Sequence, residues 1–289
     1  MKTQVMMLAA LINLILDPLL IFGIGPFPRL EIQGAAIATL FSWLVALSLS
    51  GYLLIIKRRM LERAVFDIDR MRANWSKLAH IAQPAALMNL INPLANAVIM
   101  AMLAHIDHSA VAAFGAGTRL ESVLLIVVMA LSSSLMPFIA QNLGAGQPQR
   151  AKQALLLSLK FIFVFQTLLY IPLAFLAQPL ANLFSTDPQV LEWLSFYILV
   201  LPCAYGPLGI VIIFATALNA YHRPMSSLVI NLCRLVLLML PLAALGSYID
   251  GVKGLLLALP ITNLLMGIAC YYLAQRICEP TKVTTADAI

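Results

Sequence analysis

Charge is what this sequence has least of. Only 10% of its 289 residues are Asp, Glu, Lys or Arg and 62% are hydrophobic, whereas soluble globular domains carry about a quarter charged residues. So little polar surface excludes an ordinary water-soluble domain and makes the bilayer the solvent to reason with. Cysteine is scarce too: Cys203, Cys233, Cys270 and Cys278 lie in or at the ends of apolar runs, with no CxxC or paired spacing. That argues against a disulfide framework and a thiolate metal site. A Walker A lysine loop, an HExxH helix and a GxSxG elbow are also missing, so ATP-driven transport and the common hydrolases find no support. Neither enzymatic activity nor a bound cofactor is expected. A cleavable signal peptide is not expected either, because Met1-Lys2-Thr3-Gln4 leads into an apolar run of full membrane length.

What the chain does have is long apolar runs. A helix needs about 20 mainly apolar residues to cross the hydrocarbon core, because its backbone must satisfy its own hydrogen bonds there. Eight stretches meet that need, near 5–24, 33–56, 78–103, 110–143, 153–177, 189–217, 226–246 and 254–276. The fourth is long enough to suggest tilt or a cytoplasmic extension. The expected fold class is therefore an all-α integral membrane protein of about eight transmembrane helices.

The net charge of +6 would suggest nucleic acid in a soluble protein. Here the basic residues fall between apolar runs and sort onto one side of the membrane. Thirteen of the 18 lie there, seven of them between Lys57 and Lys77, while Arg29 and Lys253 lie opposite and Arg119, Lys160 and Arg234 fall inside spans. This positive-inside bias predicts cytoplasmic termini and no nucleic-acid partner. The charged loop from Arg58 to Lys77 is the natural boundary between two units. The expected division is 1–57, a linker over 58–77, a larger unit over 78–278 and a cytoplasmic tail over 279–289.

An internal echo supports that division. Ile12-Asn13-Leu14 is matched by Ile230-Asn231-Leu232, and Gly34 and Gly254 each stand 18 residues before a tyrosine, Tyr52 and Tyr272. The pattern is that of one helix pair used twice, as in transporters built from repeats.

Candidate functional residues are the polar ones inside spans. Asp17 sits mid-span, where a carboxylate costs a few kcal/mol or more and normally faces a bundle interior or a water-filled cavity. Asn13 is one turn earlier on the same face, and Pro18 removes a backbone donor and frees the Leu14 carbonyl. Carboxylate, amide and loosened backbone suit a proton or a sodium ion, although an aspartate that only bonds a neighbouring helix fits the same pattern. Gly34, Ala35, Ala36 and Ala38 allow close helix approach, which would carry Thr39 toward the Asp17 face.

Asn89, Asn92 and Asn96 form a second polar stripe at helical spacing, suited to lining a cavity or to bonding between helices. Arg119 and Glu121 are two apart and so do not face each other; structural pairing with other spans, gating and proton handling are the options. His105 and His108 flank Asp107 in a short turn and lack a further ligand for a metal site.

These residues carry a family resemblance. NLILDPLLIFGIGPF with GAAIATLFSWL, and AVAAFGAGTRLES with SLMPFIAQNLGAGQPQRAKQA, resemble the multidrug and toxic compound extrusion (MATE) family, nearest its DinF-like branch. The resemblance implies a twelve-helix transporter of two six-helix lobes. This chain would then be its fifth to twelfth helices, a partial first lobe of two and a complete second lobe, as if truncated at its N-terminus. It implies that Asp17, Asn13 and Thr39 belong to a first-lobe cation site, with no counterpart in the second lobe, where Leu235 stands at the place of a repeated Asp17. The expected function is proton- or sodium-coupled antiport exporting amphipathic, often cationic drugs from the bacterial inner membrane, by a protein monomeric at full length. A lipid-linked sugar flippase of the same superfamily and a non-transporting remnant are the alternatives.

Overall fold

The computed structural model describes residues 2–24, 26, 28–57, 75 and 90–277. Among the described residues every regular element is a helix, as apolar runs of this length require when no water is present to bond an open backbone. The proposed linker, apart from Trp75, and the tail lie outside them, as does Asn89. The chain divides between residues 79 and 80 into two compact units.

The first unit is a helical hairpin. α1 (Lys2–Phe22) and α2 (Glu31–Tyr52) pack on each other, and α2 runs on into a π-helical turn at Leu53–Lys57. Gly34 lies directly against the backbone of Leu20, where any side chain would collide. The close approach expected from the small residues of α2 is therefore present, with Ala38 and Ser42 buried along the same side. At the hairpin tip Arg29 pairs with Glu31 at 3.4 Å, but both side chains are about 70% exposed, so the pair contributes at most about 1 kcal/mol.

The second unit begins, among the described residues, with α3 (Leu90–Ile106). α4 (His108–Leu124) and α5 (Ile126–Gly144) follow, then α6 (Pro148–Phe175), the short α7 (Ala177–Asn182), and α8 (Pro188–Val200), which continues through a 3-10 turn into α9 (Tyr205–Ala220). α10 (Pro224–Leu232) passes through a π-helical segment, Cys233–Met239, into α11 (Leu240–Ile277). α9 is the central column: thirteen of its sixteen residues are buried, against α5, α6, α10 and α11.

Six stretches among the described residues are long and apolar enough to cross a membrane by length and composition, against the eight runs read from the sequence. One of the eight runs, 78–103, lies partly outside the described residues. Two others are joined in the last stretch, of 53 residues, which is broken at Asp250 and Gly251, whose backbone leaves the helical region. Gly251 has φ +54°, a value an L side chain adopts only with strain. On either side of the bend Gly246 and Gly254 meet backbone to backbone, as Gly34 meets Leu20 in the first hairpin.

The long fourth run is neither a single tilted helix nor an extended one. It breaks at Leu125 into α4 and α5, and the amide of buried Gln166 on α6 donates to the Leu124 carbonyl at 3.0 Å. A side chain entering the ladder is a standard cause of a helix break.

Candidate functional site

In the first unit, the Asn13 side-chain amide donates to Asp17 Oδ1 at 3.3 Å, the one-turn relationship that their spacing requires. Both residues are half-buried. Thr39 does not join them. Its hydroxyl donates to the Ala35 carbonyl of its own helix at 2.9 Å and is exposed, because a threonine in mid-helix finds the carbonyl one turn back more readily than a group on another helix.

The second unit holds a partly open cavity of about 770 Å³ lined from α3, α4, α5, α8, α9, α10 and α11, within the range of roughly 300–1,000 Å³ usual for small-molecule sites. Two polar centres face it. At the first, Glu121 on α4 accepts from the Tyr197 hydroxyl at 3.0 Å and the Tyr205 hydroxyl at 3.3 Å, both to Oε2. Gly117, one turn before Glu121, makes room for this: a Cβ there would stand 2.5 Å from the Tyr197 ring. Phe114 meets Tyr197 edge-to-face at 6.0 Å.

The second centre is Arg234. It sits in the π-helical segment, an extra-residue turn of the kind found frequently at functional sites. Nη1 donates to Asn263 Oδ1 at 3.2 Å and Nη2 to Asn92 Oδ1 at 3.1 Å. Both acceptors are neutral amides, and among the described residues no carboxylate forms an ion pair with this guanidinium. Arg234 is only 9% exposed, and its Nε lacks an acceptor, as the buried Ser227 hydroxyl lacks a partner. Ser227, Asn231 and Arg234 follow spacings of four and three and all line the cavity.

Of the residues singled out in the sequence, Asn92, Asn96 and Glu121 are brought together here, Asn92 by bonding Arg234 rather than by lining alone. Arg119 is exposed, so it and Glu121 diverge as their spacing predicts. Tyr197, Tyr205, Ser227 and Asn263 went unremarked in the sequence. Arg234 does carry a sequence signal, since a charge in mid-span is a site candidate by default. The histidine pair belongs to no metal cluster among the described residues. The internal echo is only partial in chemistry, because Asn231 reaches back to the Ser227 carbonyl at 3.0 Å where Asn13 reaches forward to a carboxylate.

The MatE family model matches residues 84–245. The "FAD transporter" of Shewanella oneidensis is 96% identical over 286 residues, which cover 99% of this chain and 63% of the relative. "Multidrug export protein MepA" of Staphylococcus aureus is 26% identical across the whole chain and 63% of its own length. The crystal structure of the Vibrio cholerae MATE transporter VcmN in its bent form matches with a TM-score of 0.80 at 30% identity, covering 95% of this chain and 61% of that one. The chain thus spans less than two thirds of the length of the relatives it matches.

Proposed function

Because the chain belongs to the MatE family, a family of membrane transporters and not of enzymes, we propose that it forms part of a cation-coupled exporter of flavin adenine dinucleotide. The observation that carries the substrate is the 96% identity to a protein named as an FAD transporter. The second-unit cavity is chemically suited to such a cargo, since FAD joins two flat aromatic ring systems through a negatively charged diphosphate. Phe114, Tyr197 and Tyr205 form aromatic parts of its wall, and Arg234 supplies positive charge.

The coupling site in this proposal is Asp17 with Asn13, which binds a proton or sodium ion. Export then requires that ion and cargo bind the inward-open and outward-open states with different affinity. The proposal places the chain in a longer, twelve-helix protein of the DinF-like branch in the bacterial inner membrane.

The test is flux in proteoliposomes holding the full-length protein with these residues. An imposed proton or sodium gradient drives FAD movement in the wild type and not in Asp17→Asn; unchanged gradient-driven flux in that variant overturns the coupling role, and no FAD flux in the wild type overturns the substrate. Export of amphipathic cationic drugs is the second reading, favoured by the similarity to MepA, and ethidium flux in the same vesicles distinguishes it.

A further inference from the structure

We propose that Arg234 is a phosphate-recognition point within the second-unit cavity, the place where a diphosphate or phosphate ester on an otherwise aromatic ligand is held. The inference deepens the FAD reading and rests on it for the identity of the cargo, but the chemistry stands on the side chains alone.

A guanidinium carries five N–H donors in a fixed planar fork. Two are taken by Asn263 and Asn92, and Nε, buried, has no acceptor. The two amides come from different helices and pin the plane of the group without neutralising it. A buried charge without a counter-charge in contact is costly, and Glu121, the carboxylate of the cavity, makes its close contacts through Oε2 with two tyrosine hydroxyls and not with the guanidinium. The unused donors therefore await an anion that enters from outside.

Phosphate fits this vacancy better than a single carboxylate would. Its several oxygens can meet Nε and the remaining Nη hydrogens together, the bidentate geometry for which arginine is suited. The Ser227 hydroxyl, wholly buried and unpartnered, lies two turns earlier on the same cavity-lining face. Phe114 and Tyr197 form part of the same cavity wall, an apolar boundary beside the polar centre. The π-helical turn is the local device that places Arg234 on this face.

The experiment uses the full-length protein with these residues, purified into nanodiscs, and measures calorimetric binding of FAD, riboflavin and inorganic pyrophosphate. Two variants are compared. Arg234→Gln removes the charge; Asn92→Asp keeps the arginine but sets a carboxylate 3.1 Å from Nη2, supplying the anion from within. In both, affinity for FAD and pyrophosphate should fall about tenfold or more, the loss of one charge-assisted contact, while riboflavin, which has no phosphate, binds as to the wild type. Should Arg234→Gln not fold, Asn92→Asp alone carries the test. Parallel losses for FAD and riboflavin, or undiminished pyrophosphate binding in both variants, overturn the phosphate role. A wild type that binds pyrophosphate through Arg234 but not FAD upholds the subsite and removes the FAD reading; a wild type that binds neither phosphate ligand overturns the subsite.

Discussion

Tyr197 donates its hydroxyl to Glu121 Oε2 at 3.0 Å across 76 residues of sequence, tying α8 to α4 at the wall of the cavity. Tyr205 reaches the same oxygen from the next helical segment at 3.3 Å. Removing one donor from a carboxylate in this setting costs about 1–3 kcal/mol, because the oxygen loses one of its two protein donors. Tyr197→Phe should therefore lower the melting temperature of the full-length protein clearly, and more than Tyr205→Phe, whose bond is longer. Equal melting of wild type and Tyr197→Phe would mean that Glu121 has another donor within reach.

Gly117→Ala tests the same relationship by crowding it. The added methyl would stand 2.5 Å from the Tyr197 ring, and the ring is held between Phe114 and the Glu121 carboxylate. Overpacking of this kind costs about 1–3 kcal/mol. The extra loss due to Gly117→Ala should largely vanish when it is made in a Tyr197→Leu background, where the smaller side chain yields the space; strictly additive losses in a double-mutant cycle would contradict the contact.

Asp107 offers a pH prediction outside the spans. Its Oδ2 accepts from the Trp193 indole N–H at 2.7 Å and its Oδ1 from the Ser109 backbone N–H, also at 2.7 Å, capping α4 and joining it to α8. Those bonds, Trp193 first, hold its carboxyl below the usual carboxylate range. A group with a depressed folded pKa stabilises fully above its unfolded value, about 3.9, and loses that contribution as pH falls through the folded one. Melting temperature should thus drop between pH 4 and pH 2 in the wild type, by a small amount because the carboxylate is only half-buried and solvent screens part of the effect. Asp107→Ala should cost about 1 kcal/mol near neutrality as a lost cap and show a shallower acid slope. An acid slope identical to the wild type would refute the linkage.

Much of the helical framework was legible because lipid imposes a length and a composition that each apolar run must meet. The Asn13–Asp17 bond was legible for a similar reason: four residues on a helix is a local distance. Thr39 shows the limit, since its best partner was its own backbone and not the face that small residues brought near. The Glu121 centre was half visible, a lone mid-span acid whose partners lay 76 and 84 residues away, beyond the reach of helical periodicity. Arg234 was harder still, because its direction depends on a π-helical turn for which the apolar pattern of Cys233–Met239 carries no mark.

Glu121 also sets the polarity that any anionic cargo meets, which leads to a prediction of opposite sign to the others. Its carboxylate and the Arg234 guanidinium line one cavity without pairing, so an entering phosphate gains from one and is repelled by the other. Glu121→Gln removes the repelling charge while its amide oxygen still accepts from Tyr197. Binding of FAD and pyrophosphate should tighten several-fold, an effect of one like charge at several ångströms in a partly wet cavity, whereas riboflavin binding should hold steady. Such a gain, reversed by adding Arg234→Gln, would place both charges on the path of one ligand; weaker phosphate binding in Glu121→Gln would instead make the carboxylate a support that holds the tyrosines in place for the cargo.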